Sequence, residues 1–116
     1  MLLGRYGEAL AAEYLRKKGC RILAMNYRTR LGELDVIAAD RRYVIFAEVK
    51  LRKNAAFAEA REFVTFAKRQ KLAAAAEEWL QKNPQKLQPR FDVIEVYGEE
   101  GAAAPRIRQI ENAFGG

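Results

Sequence analysis

The chain has 116 residues, of which half are apolar and 31% charged, and its formal net charge is +6. This length suits one core, so residues 1–116 are predicted to form a single domain. One cysteine and no histidine exclude an internal disulfide, a cysteine zinc cluster and histidine-based catalysis. No apolar run reaches the roughly 18 residues of a spanning helix, and the first residues are too short for a signal peptide. We therefore expect a cytoplasmic protein without a membrane partner.

The first half of the chain predicts one helix and three strands. Apolar residues recur at helical spacing from Gly4 to Lys18, and Gly19 is predicted to end this helix. The apolar positions of this helix are Tyr6, Ala9, Leu10, Tyr14 and Leu15. Strands are predicted at Cys20 to Tyr27, Glu33 to Ala39 and Tyr43 to Leu51, with a polar turn at residues 28–32. The short link at residues 40–42 predicts that the last two strands form an antiparallel hairpin.

The second half predicts a long helix and two more strands. Residues 55–63 fit either a short helix or a loop, and Thr65 can cap a helix that runs to about Lys82. The arc expected to pack contains Leu72, Ala73, Ala76, Trp79 and Leu80. Strands are predicted at Arg90 to Tyr97 and Arg106 to Ile110. The order α-β-β-β-α-β-β favours an α/β fold in which helices flank a mixed central sheet, because the later strand needs a crossover helix.

The predicted hairpin brings acidic residues together. If Arg41 and Arg42 form its loop, Asp35 lies opposite Glu48 and Glu33 opposite Lys50, all on one face of the sheet. Directly opposed carboxylates are about 5 Å apart at Cβ and repel each other unless a positive charge lies between them. A shift of one residue would place Asp35 and Glu48 on opposite faces. The catalytic interpretation therefore depends on this register.

A divalent cation suits this predicted pair. Mg²⁺ or Mn²⁺ takes oxygen ligands and needs neither histidine nor cysteine. Lys50 would lie beside the ion, where its ammonium can position a water and stabilise charge on a reacting phosphate. The alternative is that Glu48 and Lys50 form an ordinary solvated ion pair, which this spacing often produces on strands. Glu33 either orients Lys50 or merely pairs with it.

Several motifs in a fixed order resemble the YraN-like family of small bacterial proteins, over roughly Gly4 to Val96. The matching segments are Gly7-Glu8, Asn26-Tyr27-Arg28, Gly32-Glu33-Leu34-Asp35-Val36-Ile37, Phe46-Ala47-Glu48-Val49-Lys50 with Arg52, Lys68-Arg69-Gln70-Lys71-Leu72 and Arg90-Phe91-Asp92-Val93. That family is similar in its core to archaeal Holliday-junction resolvases, within the PD-(D/E)XK restriction-endonuclease-like superfamily. The resemblance implies a restriction-endonuclease-like fold. It also implies that Glu8, Asp35 and Glu48 are metal ligands and that Asp35, Glu48 and Lys50 are catalytic.

Basic residues are concentrated on both sides of the acidic segment along the chain. Residues 1–30 and 50–71 each carry a net charge of +5, and residues 31–49 carry −2. This pattern indicates either solvated helix faces or a surface that binds a polyanion. The residues predicted to contact nucleic acid are Arg28, Arg52, Lys68, Arg69 and Lys71. Arg69 lies either along the buried arc of its helix or, as we favour, near the site at the start of the helix.

Three functions are compatible with these residues. The first is a metal-dependent endonuclease-like protein that hydrolyses DNA with Mg²⁺ or Mn²⁺, and branched and flapped DNA are its candidate substrates. The second is a non-catalytic nucleic-acid-binding module that keeps the nuclease fold and acts with a DNA-processing partner. The third is a structural interaction protein whose acidic face has no role. One small chain has little surface to span two duplex arms, which favours a homodimer.

Overall fold

The structure, a computed structural model, describes residues 2–52, 66–98 and 105–114, and side chains within the first helix from Tyr6 onward. Its elements are α1 (Leu2–Lys17), β1 (Arg21–Arg28), β2 (Glu33–Ala39), β3 (Tyr43–Arg52), α2 (Phe66–Lys82), β4 (Gln88–Tyr97) and β5 (Arg106–Ile110). The predicted order α-β-β-β-α-β-β is confirmed, with element ends shifted by one or two residues. Thr65 and the ambiguous residues 55–63 lie outside the described residues.

The five strands form one mixed sheet in the order β1-β2-β3-β4-β5. Only β3 and β4 pair in parallel, and α2 is the crossover between them, as expected for the α/β fold. On one face, α2 packs its Trp79 against Phe46 of β3. On the other face, α1 packs Leu15 over Ile45 and Ile94. No helix within the described ranges is long and apolar enough to span a membrane.

The buried faces of both helices differ from the predicted arcs. Ala9 of α1 and Ala73 of α2 are exposed, so both assignments to the packed face were wrong. Ala11 and Leu15 are buried in α1, and α2 buries Ala75 where Ala73 was expected. At Gly7 the helix lies against β3, and a Cβ at this position would be 3.5 Å from Val49 Cγ1, an ordinary contact distance. The packed face of α1 combines the small Ala11 with the larger Leu15.

The predicted hairpin register is confirmed where β2 and β3 are paired. The ladder runs from Val36 opposite Ala47 to Ala39 opposite Val44. Asp40 fixes the turn, because its Oδ1 accepts hydrogen bonds from the backbone N–H groups of Arg42 and Tyr43 at 2.8 and 2.7 Å. Such a side-chain acceptor is a common device for closing a short loop.

The alternation of β2 is interrupted at Asp35. Leu34 packs on the α2 side of the sheet, yet Val36 packs on the α1 side, whereas a regular strand would direct both to one face. On the neighbouring strand, Asn26 has a φ of 53°, a left-handed conformation that asparagine tolerates better than most residues. Asn26 lies between the paired positions Met25–Val36 and Tyr27–Leu34. Asp35 therefore lies at the kink where the side chains of β2 switch from one face of the sheet to the other.

Gly32 determines how closely α2 approaches the β1–β2 turn. A Cβ on Gly32 would lie 2.5 Å from the Lys71 carbonyl oxygen and 2.9 Å from its carbonyl carbon, both backbone atoms. We expect Gly32→Ala to lower the free energy of unfolding by about 1–3 kcal/mol, as overpacking usually does. Urea unfolding followed by circular dichroism measures this loss.

Gly7→Ala is the matched control, because its added Cβ would meet Val49 at an ordinary contact distance of 3.5 Å. Alanine also favours the helix over glycine by roughly 0.5–1 kcal/mol. The control should therefore be neutral or stabilising. Equal effects of the two substitutions would contradict the close approach at Gly32.

Candidate functional site

A cavity of about 500 Å³ opens beside the kink in β2, and we call it the acidic cavity. The start of α1, the end of β3 and the first turns of α2 form its walls. Its charged lining residues are Glu8, Glu33, Asp35, Glu48, Lys50, Lys68 and Lys71. The cavity therefore brings together the carboxylates and the lysine that the sequence assigned to a catalytic site.

Asp35 is a half-buried carboxylate held by the backbone of the neighbouring strand. Its Oδ2 accepts a hydrogen bond from the Val49 N–H at 2.8 Å. Burial raises the pKa of Asp35 from 3.8 to about 6, against the opposing effect of the Val49 bond. The negative charges of Glu8 and Glu48 also contribute to the increase in this pKa. The charged form of Asp35 is thus disfavoured by burial and by the neighbouring carboxylates.

Glu48 is 7% exposed and shares one oxygen between two ammonium groups. Lys50 Nζ lies 2.8 Å and Lys68 Nζ 2.5 Å from Glu48 Oε2. Burial acts to lower the pKa of Lys68, but the hydrogen bond and charge of Glu48 outweigh it, so the pKa is raised. The other oxygen, Glu48 Oε1, is buried and accepts no hydrogen bond. A buried carboxylate oxygen without a donor is costly, and it marks a position where a positive ligand would be favourable.

Glu8 presents a second such oxygen to the cavity from α1. Its Oε1 is buried and has no hydrogen-bond partner. The preceding Gly7 allows α1 to lie against Val49 and Leu51, which brings this first part of the helix to the rim of β3. Glu8 thus lines the acidic cavity and is not an isolated surface charge.

The donor set suits a hard cation, although it is not a complete preformed cluster. Among the residues that the structure describes, no three aspartate, glutamate, histidine or cysteine side chains are grouped closely enough to hold a metal ion. The predicted set of Glu8, Asp35 and Glu48 is therefore not assembled as three direct ligands. Mg²⁺ commonly uses one or two carboxylates and completes its shell with waters and phosphate oxygens. The two unpartnered oxygens of Glu8 and Glu48 fit that requirement.

The expected pairing of Glu33 with Lys50 was wrong. Glu33 Oε2 lies 3.0 Å from Arg28 Nε, whereas Lys50 pairs with Glu48. The reason is the kink at Asp35, since the ladder between β2 and β3 is regular only from Val36 onward. Glu33 still lines the acidic cavity, but neither of its two predicted roles toward Lys50 is seen.

The five predicted nucleic-acid contacts are spread over different surfaces. Lys68 and Lys71 line the acidic cavity, and Arg28 is exposed beside Glu33 at the end of β1. Arg52 ends β3, half-buried, with its Nε buried and without a partner. Arg69 does not line this cavity, so its expected place near the site was wrong. It is exposed on the other side of α2, because two residues, or about 200° of helical rotation, separate it from the cavity-lining Lys71.

Sequence reasoning missed the direct contact between Lys68 and Glu48. The only available signal was the spacing of Lys68 and Lys71, which places both on one face of a helix.

Sequence reasoning also gave Asp92 no role. The structure shows Asp92 fully buried and paired with Arg90 through two bonds of 2.9 Å. Asp92 also accepts hydrogen bonds from the Gln109 side chain and the Asn112 N–H, so it anchors the C-terminal segment on β4.

Comparison with known proteins identifies relatives along nearly the whole chain. The family described as "Uncharacterised protein family UPF0102" matches residues 7–96. A UPF0102 protein of Pelotomaculum thermopropionicum is 42% identical over 114 residues, which cover 97% of this chain and 95% of the relative. One from Clostridioides difficile is 46% identical over 112 residues, with 96% and 95% covered. One from Rhodococcus opacus is 37% identical over 115 residues, with 98% and 97% covered. The chain therefore belongs to the UPF0102, or YraN-like, family that its motifs indicated.

Proposed function

We propose that this protein is a metal-dependent endonuclease-like hydrolase of DNA in the cytoplasm. The observation that carries the proposal is the acidic cavity, where Asp35, Glu48 and Lys50 meet beside two buried carboxylate oxygens that have no donor. Structural ion pairs seldom leave such oxygens unsatisfied. A site built to receive a cation and a phosphate accounts for both the unpartnered oxygens and the adjacent ammonium groups.

Glu8 and Glu48 would offer their unpartnered oxygens to the cation, and Asp35 lines the same cavity. When bound, Mg²⁺ or Mn²⁺ supplies Lewis-acid stabilisation of the reacting phosphate and a nucleophile at neutral pH. The Val49 N–H fixes the orientation of Asp35 through its 2.8 Å bond. The low exposure of Glu48 strengthens its electrostatic interactions, because little water screens them.

Lys50 and Lys68 act on the phosphate. Both ammonium groups lie on Glu48 Oε2, so they carry positive charge into the cavity beside the carboxylates. Lys50, which is largely buried, would stabilise negative charge that develops on the phosphate during hydrolysis. Lys68 is more exposed and, with Lys71, would bind the flanking phosphates of the strand.

Incubation of the protein with labelled duplex, single-stranded, flapped and four-way DNA tests the proposal. Each substrate is tested with Mg²⁺, with Mn²⁺ and with chelator. We expect cleavage that requires the metal and disappears in Glu48→Gln. Purified protein that binds these substrates and cleaves none of them with either metal would contradict the enzymatic role.

A non-catalytic nucleic-acid-binding module is the second candidate, and one feature of the cavity favours it. Lys50 and Lys68 already neutralise Glu48, and the described residues present no complete three-ligand metal cluster. Such a module would bind DNA equally well with metal and with chelator. An increase in affinity when Ca²⁺ is added would favour the metal-dependent site instead. Sedimentation of the same complexes shows whether the protein acts as a homodimer.

Duplex binding should weaken with salt, and Lys71→Ala should reduce that dependence. A lysine that neutralises one phosphate contributes about one unit to the slope of log affinity against log salt concentration. Lys71 is exposed at the cavity and suited to this contact. Fluorescence anisotropy at several salt concentrations measures the slope.

Lys82→Ala is the matched control at the far end of the same helix, where Lys82 lies 3.5 Å from Glu78. Its slope should remain close to that of the unmodified protein. A Lys71→Ala slope that also stays unchanged would remove Lys71 from the interface.

A further inference from the structure

A second hollow of about 240 Å³ lies on the opposite side of α2 from the acidic cavity. We call it the aromatic hollow, and it is lined by Phe66, Arg69, Gln70, Ala73, Phe91 and Phe114. Its walls are mostly carbon, and Phe66 at its rim is 69% exposed. A cavity of roughly 150 Å³ already holds a benzene ring, so this hollow has room for a planar heterocycle.

The hollow is the outer end of a series of aromatic rings that begins in the core. Trp79 packs edge-on against Phe46 with ring centroids 5.8 Å apart. Phe46 then packs on Phe91 at 5.4 Å, and Phe91 on Phe114 at 5.7 Å, with ring planes about 30° apart in both pairs. These last rings are tilted against each other, and Phe114 ends the series at the hollow, where its ring can contact a further planar group.

The floor of the hollow is fixed in place by backbone and side-chain bonds. The Ala113 N–H donates to the Phe91 carbonyl oxygen at 2.8 Å, and the Asn112 N–H donates to Asp92 Oδ1 at 3.0 Å. Asp92 is fully buried and also bonded to Arg90. Phe114 is therefore held on Phe91 before any ligand arrives, which lowers the entropic cost of binding.

Charge at this hollow is positive. The Arg69 guanidinium at its edge makes no ion pair with any residue in the described ranges, and arginine stacks on planar π-systems. On the other side of the same helical turns, Lys68 and Lys71 line the acidic cavity. The two cavities are separated by the width of one helix, about 10 Å. A stacked strand covers that distance in about three nucleotides.

We propose that the aromatic hollow binds one unpaired base of a DNA strand whose phosphates follow Lys68 and Lys71 toward the acidic cavity. This rests on the proposed function and narrows its substrate to DNA with unpaired nucleotides next to the cleaved bond. Phe66 and Phe114 provide the stacking surfaces, and Arg69 pairs with the nearby phosphate or stacks on the base. Base-aromatic stacking tolerates every base, so the hollow selects unpaired structure rather than sequence.

A thermodynamic cycle between Phe66 and the base tests the proposal. Anisotropy, with Ca²⁺ in place of Mg²⁺ to prevent turnover, measures affinity for a duplex with a short single-stranded flap and for the same flap with one abasic nucleotide. Phe66→Ala should weaken binding of the intact flap by about 5- to 150-fold, the usual range for a stacked base. It should leave binding of the best abasic flap unchanged, because the partner of Phe66 is then already missing. Scanning the abasic position along the flap locates the bound nucleotide.

Controls separate this inference from the proposed function. Met25→Ala changes another exposed apolar residue, 36% exposed and outside both cavities, and should leave all affinities within twofold. Phe114→Leu keeps the apolar packing while removing a ring, and it should repeat the Phe66→Ala result.

Equal losses of affinity for flapped and fully paired DNA would overturn the base-binding role while leaving nuclease activity intact. A lack of binding to any DNA would overturn both proposals, and a Phe66-dependent dimer that excludes DNA would assign the hollow to a second copy of the chain.

Discussion

Lys50→Met should lower the rate of metal-dependent DNA cleavage by about two to four orders of magnitude, the usual effect of removing one electrostatic or acid-base group. An ammonium has no lone pair for a cation, so this substitution should leave metal affinity unchanged or slightly higher. The fold should survive, because Lys68 still neutralises the buried Glu48 Oε2. Single-turnover cleavage measures the rate, and calorimetric titration with Mn²⁺ measures the metal affinity.

Glu48→Gln separates the role of the ligand from that of the lysine. It removes the negative charge that Lys50 and Lys68 share, and with it a ligand of the cation. Both the cleavage rate and the Mn²⁺ affinity should therefore fall, whereas Lys50→Met lowers only the rate. A non-catalytic module that binds DNA equally well with metal and with chelator would have no rate to lose and no metal-assisted binding to change.

Lys82→Met makes the same chemical change on an exposed lysine far from the cavity and should cleave at the unmodified rate. If an active preparation retains full activity with Met at position 50, Lys50 has no catalytic role. The hydrolysis would then depend on other residues or on a contaminating nuclease.

The hairpin that carries the site was predictable because its register follows from local rules. A short loop next to Asp40 fixes which residues of β2 and β3 face each other, and the observed ladder from Val36 to Ala39 obeys that expectation. The family motifs then added Glu8, which lies far away in the sequence and reaches the cavity only through the packing of α1. No pattern within α1 distinguishes that glutamate from a solvated one.

The errors share one physical origin, since they concern how elements meet rather than how they form. The close approach at Gly32 depends on the backbone of Lys71 in a distant segment, so it limits the position of α2 without a signal in helical periodicity. The kink at Asp35 likewise depends on Asn26 of the adjacent strand. In the folded protein Arg69 lines the other side of α2, and Glu33 pairs with Arg28 rather than with Lys50.

Asp35→Asn should stabilise the metal-free protein at pH 7.5. The pKa of Asp35 is raised from 3.8 to about 6, mainly by burial, so the native state holds its proton more tightly than the unfolded chain does. The stabilisation from that proton is complete below the unfolded pKa and is lost as the pH rises through about 6. The difference between the two pKa values corresponds to up to about 3 kcal/mol. Asparagine has no proton to lose, and its oxygen can still accept the Val49 hydrogen bond.

Urea unfolding in chelator between pH 4 and pH 8 measures the free energy of unfolding of both proteins. Above pH 6 this free energy should be larger for Asp35→Asn than for the unmodified protein, and the two values should converge toward pH 4. Asp40→Asn is the control of opposite sign. Burial favours a higher pKa for Asp40, but hydrogen bonds from the Tyr43 and Arg42 N–H groups lower it overall. Its charge stabilises the fold at neutral pH, so that variant should lose stability there.

Added Mn²⁺ should then stabilise the unmodified protein more than Asp35→Asn, because only the carboxylate exchanges an unfavourable buried charge for a metal ligand. An Asp35→Asn variant that is less stable than the unmodified protein in chelator at pH 7.5 would show that Asp35 already has its compensating charge within the fold.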